Sequence, residues 1–258
     1  MKVVILAGGK GTRIAPNIPD YPKPLIRIGN FPIIWHIMKI YSSFNFNDFI
    51  ICLGHRKEDF YDYFLNLKYY NSDIEIDYNN DQVNILNSKK PKWKVKLVDT
   101  GLNSLTGKRI KLVKKYINEE NFLLTYGDGL SNINVKKTIN QHNKDNNIVT
   151  LSAVNVDGRF GHIKKIKNKV VSFNEKEFKN NDTNYINGGF FVMSKKIFDI
   201  IPNRNVNFEK DVLPKIAKDK KLGAYVHKNF WCCMDTYSDY KYLNDLWKSN
   251  PSWKMWKN

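Results

Sequence analysis

The residues best suited to chemistry stand near the start of the chain. Leu6-Ala7-Gly8-Gly9-Lys10-Gly11-Thr12-Arg13 runs straight on from an apolar stretch that begins at Val3. In an open α/β sheet, ligands bind beyond the carboxyl ends of the strands. Glycines at such a place let backbone N–H groups approach and cradle phosphate oxygens. Lys10, Arg13 and, a little later, Lys23 bring positive charge to those oxygens. A tight strand-to-helix turn that needs positive φ would use the same glycines. Two other phosphate loops do not match. G-x-x-x-x-G-K-[ST] is absent, and the dinucleotide pattern G-x-G-x-x-G, begun at Gly9-x-Gly11, meets Ile14 at its third position.

Carboxylates come next. Phe122-Leu123-Leu124-Thr125-Tyr126-Gly127-Asp128-Gly129 is an apolar run ending in an aspartate between two glycines, and Asp235 closes the short run Trp231-Cys232-Cys233-Met234. A carboxylate at a strand end suits a hard cation such as Mg²⁺, which takes one or two carboxylates and leaves its other sites to phosphate and water. Each aspartate read alone also fits a turn or a helix cap. His36, His55, His142, His162 and His227 show no zinc-site spacing, and no G-x-S-x-G elbow offers a serine nucleophile. Among Cys52, Cys232 and Cys233 no metal-ligand spacing appears, and adjacent Cys232 and Cys233 are poorly placed to pair with each other, which fits a reduced, cytoplasmic setting.

These groups need a scaffold. Apolar runs at 3–7, 48–53, 94–99, 122–126 and 148–153 read as strands, and amphipathic stretches at 33–44, 57–65, 104–116 and 134–143 as helices. Strands alternating with helices imply βαβ units and a mainly parallel sheet, hence an α/β fold. The second half is less regular, with strands expected at 161–166, 170–174, 186–192 and 231–234 and helices at 208–218 and 237–247. No linker divides the halves, so one domain over 1–258 is expected, in two parts at about 1–150 and about 151–258, the second an added substrate-side portion with a closing helix.

Composition bounds the answer. With 258 residues, 42% hydrophobic and 14% aromatic, the chain can bury a large core. No stretch approaches the roughly 18 apolar residues of a membrane span, and the apolar run at the N-terminus is too short for a signal peptide. The 42 Lys and Arg against 25 Asp and Glu give a net charge of +17. The lysines are scattered, with no block of five like charges, so a solvated surface is expected and not a nucleic-acid arm.

The string Gly8-Gly9-Lys10-Gly11-Thr12-Arg13, followed by Lys23-Pro24, resembles the signature of the sugar-1-phosphate nucleotidyltransferases. The resemblance continues in order through Trp35-His36-Ile37-Met38, Leu97-Val98-Asp99-Thr100-Gly101, Thr106-Gly107 with Arg109, Tyr126-Gly127-Asp128-Gly129, Gly158-Arg159-Phe160-Gly161, Glu175-Lys176, Asn187-Gly188-Gly189 and Met234-Asp235-Thr236. It is similar to the glucose-1-phosphate cytidylyltransferase branch, with Glu177 standing where that branch carries a proline.

That resemblance implies a Rossmann-like mixed, mainly parallel sheet flanked by helices. It implies transfer of CMP from CTP to a sugar 1-phosphate with release of pyrophosphate. Leu6, Ala7, Gly8, Gly9, Lys10, Gly11, Thr12, Arg13, Lys23, Ser104, Arg109 and Asp128 would then bind the nucleotide. Tyr126, Gly161, Glu175, Lys176, Asn187 and Gly189 would bind the sugar phosphate. Arg13, Lys23 and Lys176 would act directly on the phosphates, and Asp128 and Asp235 would hold Mg²⁺. The resemblance also points to a homo-oligomer. Trp247, Trp253 and Trp256 fit that expectation if they leave an apolar surface at the C-terminus, although they could instead fold back on their own domain. A dinucleotide-dependent dehydrogenase, a basic nucleic-acid-binding module and a non-catalytic regulatory subunit are the rival readings.

Overall fold

The computed structural model describes residues 1–9, 21–70, 72–88, 91–155, 162–166, 168–174 and 185–256, and for 88, 162–166 and 170–174 the backbone only. Strand β1 (Val3–Leu6) precedes a 3-10 turn at Lys23–Leu25, the short pair β2 (Arg27–Ile28) and β3 (Phe31–Pro32), and helix α1 (Ile33–Ser42). Next come β4 (Asp48–Leu53), α2 (Lys57–Tyr70), the hairpin β5 (Ser72–Asp77) and β6 (Gln82–Ser88), and β7 (Lys94–Asp99). Then follow α3 (Thr106–Leu112), β8 (Asn121–Tyr126), β9 (Gly129–Ser131), α4 (Val135–Lys144) and β10 (Val149–Asn155). The last part holds β11 (His162–Ile166), β12 (Lys169–Asn174), β13 (Tyr185–Ser194), α5 (Ile197–Ile200), α6 (Leu213–Lys218), β14 (Leu222–His227), β15 (Trp231–Cys233) and α7 (Tyr237–Ser249).

Nine strands among the described residues form one sheet in the order β10-β14-β12-β11-β13-β8-β1-β4-β7. The run β8-β1-β4-β7 is parallel, and β13 lies antiparallel against β8. Strands covered on both faces need continuous apolar sequence, and Val3, Val4, Ile5, Phe49, Ile50, Ile51 and Cys52 are all fully buried. Their alternate side chains divide the core. Val4, Ile50 and Leu124 pack with Ile110, Phe191 and Phe208 on one side, and Val3, Ile51 and Leu123 pack with Ile34, Ile37 and Met38 on the other. Each such buried side chain contributes about 1.5–3 kcal/mol.

The register positions the site. Leu6, the last residue of β1, lies opposite both Cys52 and Tyr126. The segments that leave β1 and β8 therefore open on one edge of the sheet.

Several elements differ from expectation. The helix expected over 104–116 gives way at Val113, and Lys114–Tyr116 is a 3-10 turn. The helix expected over 208–218 begins as a π-turn at Phe208–Val212, directly before Pro214 in the first turn of α6. Proline has no N–H and crowds the preceding turn, which accounts for the widened entry. The hairpin β5–β6 and strand β14 were not anticipated at all. Asp235 was expected at the end of a strand of the parallel sheet. Instead it follows β15, which pairs antiparallel with β9 in a separate two-stranded ribbon.

The C-terminal tryptophans do not form an exposed patch. Trp253 is fully buried, and Trp247 and Trp256 are partly buried around His36. Trp253 Nε1 donates to His36 Nδ1 at 3.3 Å, and His36 Nε2 donates to the Ile28 carbonyl at 2.9 Å. Burial lowers the imidazole of His36 to about 4. Burial, helped by the charge of Lys169, does the same to His142, whose Nδ1 meets Thr150 Oγ1. Both folded values lie below the unfolded one, so between about pH 6.5 and 4 the unfolded chain binds more protons than the folded chain. Stability should therefore fall on acidification through this window, by about 1.4 kcal/mol per pH unit for each histidine. Denaturant midpoints compared at about pH 7.5 and 5 check the effect, and equal midpoints would contradict it.

Candidate active site

The glycine loop leaves β1 through Leu6, Ala7 and Gly8, all buried, and reaches the surface at Gly9. It is tied to its neighbours by the backbone: Ala7 N–H donates to the Cys52 carbonyl at 3.0 Å, and Gly127 N–H to the Leu6 carbonyl at 3.1 Å. Arg109 fixes it from behind. This residue is 4% exposed. Its guanidinium donates to the carbonyls of Gly8 (2.9 Å), Leu53 (2.9 Å), Gly101 (2.9 Å) and Leu102 (3.3 Å), and to Thr100 Oγ1 (2.7 Å). The same packing explains Gly8, where a Cβ would sit 2.3 Å from Arg109 Nη1. The sequence placed Arg109 among nucleotide contacts. The structure spends its donors on backbone carbonyls, so it braces the loop. Ser104, assigned to the same segment, turns its hydroxyl to the Thr100 carbonyl and closes the Gly101 turn.

Beside the loop lies the charged centre. Asp128 leaves β8 one residue after Gly127, which packs against Pro24 so tightly that a Cβ would fall 2.8 Å from Pro24 Cγ. That contact sets Lys23 over the strand end. Met234 N–H donates to the Asp128 carbonyl at 2.9 Å, and Cys233 pairs with Gly129. These bonds bring Asp235 alongside, while Asp239, in the capping box that starts α7, accepts the Asp235 N–H at 3.1 Å.

Lys23 Nζ lies 2.7 Å from Asp128 Oδ2 and also contacts Asp235 Oδ1, with all three side chains at most a quarter exposed. Burial alone would lower the ammonium, but Asp128, Cys233 and Asp235 hold it above its ordinary value. Lys23 is a fixed partner of both carboxylates. A cation thus already occupies the point between them, and two carboxylates around a positive charge are the donor set that Mg²⁺ takes. Cys233 completes the cluster, with ligand atoms of Asp128, Cys233 and Asp235 within 4.8 Å of one another. Its adjacency to Cys232 hid it in the sequence.

A second cluster joins the end of β8 to β13. Tyr126 OH donates to Glu209 and accepts from Asn187 Nδ2 at 3.3 Å, and Glu209 also accepts from Thr106 Oγ1 at 2.6 Å. Burial and then the Glu209 charge keep the phenol well above its usual range. Asn187 Oδ1 accepts from Gly189 N–H at 2.9 Å. Gly189 has φ +77°, and a Cβ there would lie 2.6 Å from the Tyr126 ring. Glu209 was missed because it lies 83 residues from Tyr126, inside a stretch that reads as an ordinary helix. Tyr126, Asn187 and Gly189 are therefore brought together. Lys10, Gly11, Thr12, Arg13, Gly161, Glu175 and Lys176 lie outside the described residues.

Known proteins resemble this chain in sequence and in fold. The nucleotidyl transferase family model matches residues 2–251. A probable glucose-1-phosphate cytidylyltransferase of Bacillus subtilis (strain 168) is 40% identical over 258 residues, covering 99% of this chain and 100% of the relative. The glucose-1-phosphate cytidylyltransferase of Salmonella typhimurium is 40% identical over 259 residues and covers 100% of both. The crystal structure of HddC from Yersinia pseudotuberculosis superposes with a TM-score of 0.75 at 27% identity, over 95% of this chain and 99% of that one.

Proposed function

The chain belongs to the nucleotidyl transferase family, and on that premise we propose that it transfers CMP from CTP to a sugar 1-phosphate, glucose 1-phosphate first, releasing pyrophosphate. The observation that carries the reading is the meeting of Lys23, Asp128 and Asp235 beside the Gly8 loop at the carboxyl edge of the parallel strands. The acceptor phosphate is already ionised at neutral pH, so no side-chain base is required. What remains is to hold two anions in line and to stabilise charge as it moves. The chain supplies that with backbone N–H groups and cations.

In this reading Asp128 and Asp235 hold Mg²⁺, which neutralises phosphate charge when bound. Lys23 then turns to the α-phosphate, and Gly8 to Arg13 cradle the triphosphate. Tyr126, Asn187 and Gly189 shape the sugar side with Gly161, Glu175 and Lys176, Lys176 balancing the acceptor phosphate. Residues 1–150 would serve the nucleotide and 151–258 the sugar. A cytoplasmic setting, where thiols stay reduced, is part of the same reading, and no described helix is long and apolar enough to cross a membrane. The test is direct. Pyrophosphate release is measured for each nucleoside triphosphate against a panel of phosphorylated sugars. CTP with glucose 1-phosphate should give the fastest release. Equal turnover of UTP would remove the cytidylyl assignment and leave the reaction class.

A homo-oligomer is part of the same proposal, on a surface other than the tryptophans. On the hairpin β5–β6, Ile74 faces Ile85 and Ile76 faces Val83, and these four are 39–48% exposed. An uncovered apolar ribbon face marks an association site. Residues 72–88 carry Asp73, Glu75, Asp77 and Asp81 and no lysine or arginine, in a chain of net charge +17. A second copy thus offers complementary charge. Light scattering should show a multimer, and Ile76→Asp with Val83→Lys should shift it toward the monomer. A wild-type monomer at micromolar concentration would refute the proposal.

A further inference from the structure

Cys233 is a soft donor in a site built for a hard ion. Its thiol, Asp128 and Asp235 place their ligand atoms within 4.8 Å of one another, with the Lys23 ammonium against both carboxylates. Asp128, Cys233 and Asp235 are each only partly buried as residues, so the cluster lies at the edge of solvent. A tetrahedral Zn²⁺ with bonds of about 2.0–2.3 Å spaces its ligands about 3.3–3.8 Å apart. The ligand atoms, within 4.8 Å of one another, would therefore have to approach by up to about 1–1.5 Å as the ammonium leaves. Thiolate ligands favour Zn²⁺ and other soft ions, whereas Mg²⁺ takes oxygen. The site is further constrained by backbone: Cys233 is pinned opposite Gly129, the residue after Asp128, and cannot drift away.

We propose that Cys233 joins Asp128 and Asp235 as a third ligand for a soft divalent cation, Zn²⁺ or Cd²⁺, which competes with Mg²⁺ for the same place. This rests on the reading of the carboxylate pair as a cation site. On binding, the sulfur–metal bond forms, the thiol proton passes to solvent, and Lys23 withdraws. A water or a phosphate oxygen fills the fourth position. Cys232 serves as an internal control. Neighbouring strand residues point to opposite faces, and the Cys232 thiol turns to the Cys233 carbonyl. Cys52 is fully buried beneath Arg109 and out of reach.

The experiment titrates Cd²⁺ into the full metal-free chain and follows the thiolate-to-cadmium charge-transfer band in the ultraviolet. Wild type and Cys232→Ser should develop the band with one equivalent, and Cys233→Ser should not. In parallel, Zn²⁺ is titrated against Mg²⁺-supported pyrophosphate release, each variant scaled to its own rate. Half-inhibition should need at least about tenfold more Zn²⁺ in Cys233→Ser than in Cys232→Ser, the size expected for losing one charged ligand contact. An undiminished band in Cys233→Ser overturns the proposal. So does a missing band in wild type that still releases pyrophosphate with Mg²⁺. A Cys233-dependent band in a protein that releases no pyrophosphate with any substrate pair would uphold the ligand set and overturn the transferase reading.

Discussion

Asp128→Asn and Asp235→Asn should each lower kcat by roughly 10²–10³, the scale of losing one preorganised electrostatic element. Asparagine keeps the shape and removes the charge. The structure adds a consequence for folding. Lys23 contacts both carboxylates, so a single substitution leaves its ammonium one anion. The melting temperature of either single variant should therefore change little. Asp128→Asn combined with Asp235→Asn strands a largely buried ammonium, and breaking a buried pair in this way costs about 3–5 kcal/mol. Turnover at saturating Mg²⁺ and melting without metal separate the two roles. Near-normal turnover in either single variant would remove the metal role of that residue. A collapse of the Asp128→Asn melting point, together with lost turnover, would show that Asp128 only holds the Gly127–Gly129 turn.

How far the site could be read in advance depended on how local each signal was. Asp128 was legible because everything that places it is adjacent: an apolar strand, then Gly127 and Gly129. The start of the glycine loop, Gly8 and Gly9 directly after β1, was legible for the same reason. Asp235 was assigned to the right cluster by family resemblance, but the physical route was wrong. Its convergence on Asp128 runs through the β9–β15 ribbon and the Met234-to-Asp128 backbone bond, which no periodicity reveals. Arg109 shows a second limit. A buried arginine near a phosphate loop can face phosphate or backbone carbonyls, and only the fold decides which. Lys23 pairs with partners 105 and 212 residues away, so its ion pairs could not be read from spacing. The hairpin β5–β6 did carry a signal, since Asp73-Ile74-Glu75-Ile76-Asp77 alternates polar and apolar residues as a strand with one wet face does, but the stretch is too polar to stand out as core. The parallel strands were legible because burial on both faces demands unbroken apolar runs.

Lys23→Met separates the two tasks assigned to one ammonium. In the structure as it stands, Lys23 neutralises Asp128 and Asp235, with its side chain only 11% exposed. During transfer the proposed place of its charge is the α-phosphate. Both cannot hold at once, so the amine would have to leave Asp128 and Asp235 for the two carboxylates to hold Mg²⁺. Methionine keeps most of the length and the apolar stem but carries no charge. Without metal, the variant should be less stable, because two facing carboxylates lose their counter-charge, at a cost of about 3 kcal/mol. With Mg²⁺, the variant should recover more than wild type gains, since nothing now competes for the site and stabilisation grows with the logarithm of ligand concentration over Kd. Turnover should nonetheless stay down by roughly 10²–10³, because no cation meets the phosphate. The expected result is thus a protein that binds Mg²⁺ more tightly and works more slowly. Melting temperatures in chelator and in Mg²⁺, set beside kcat, test all three parts. If Lys23→Met gains no more from Mg²⁺ than wild type does, the ammonium and the metal do not share a place. The lysine would then be a structural tie between β8 and α7.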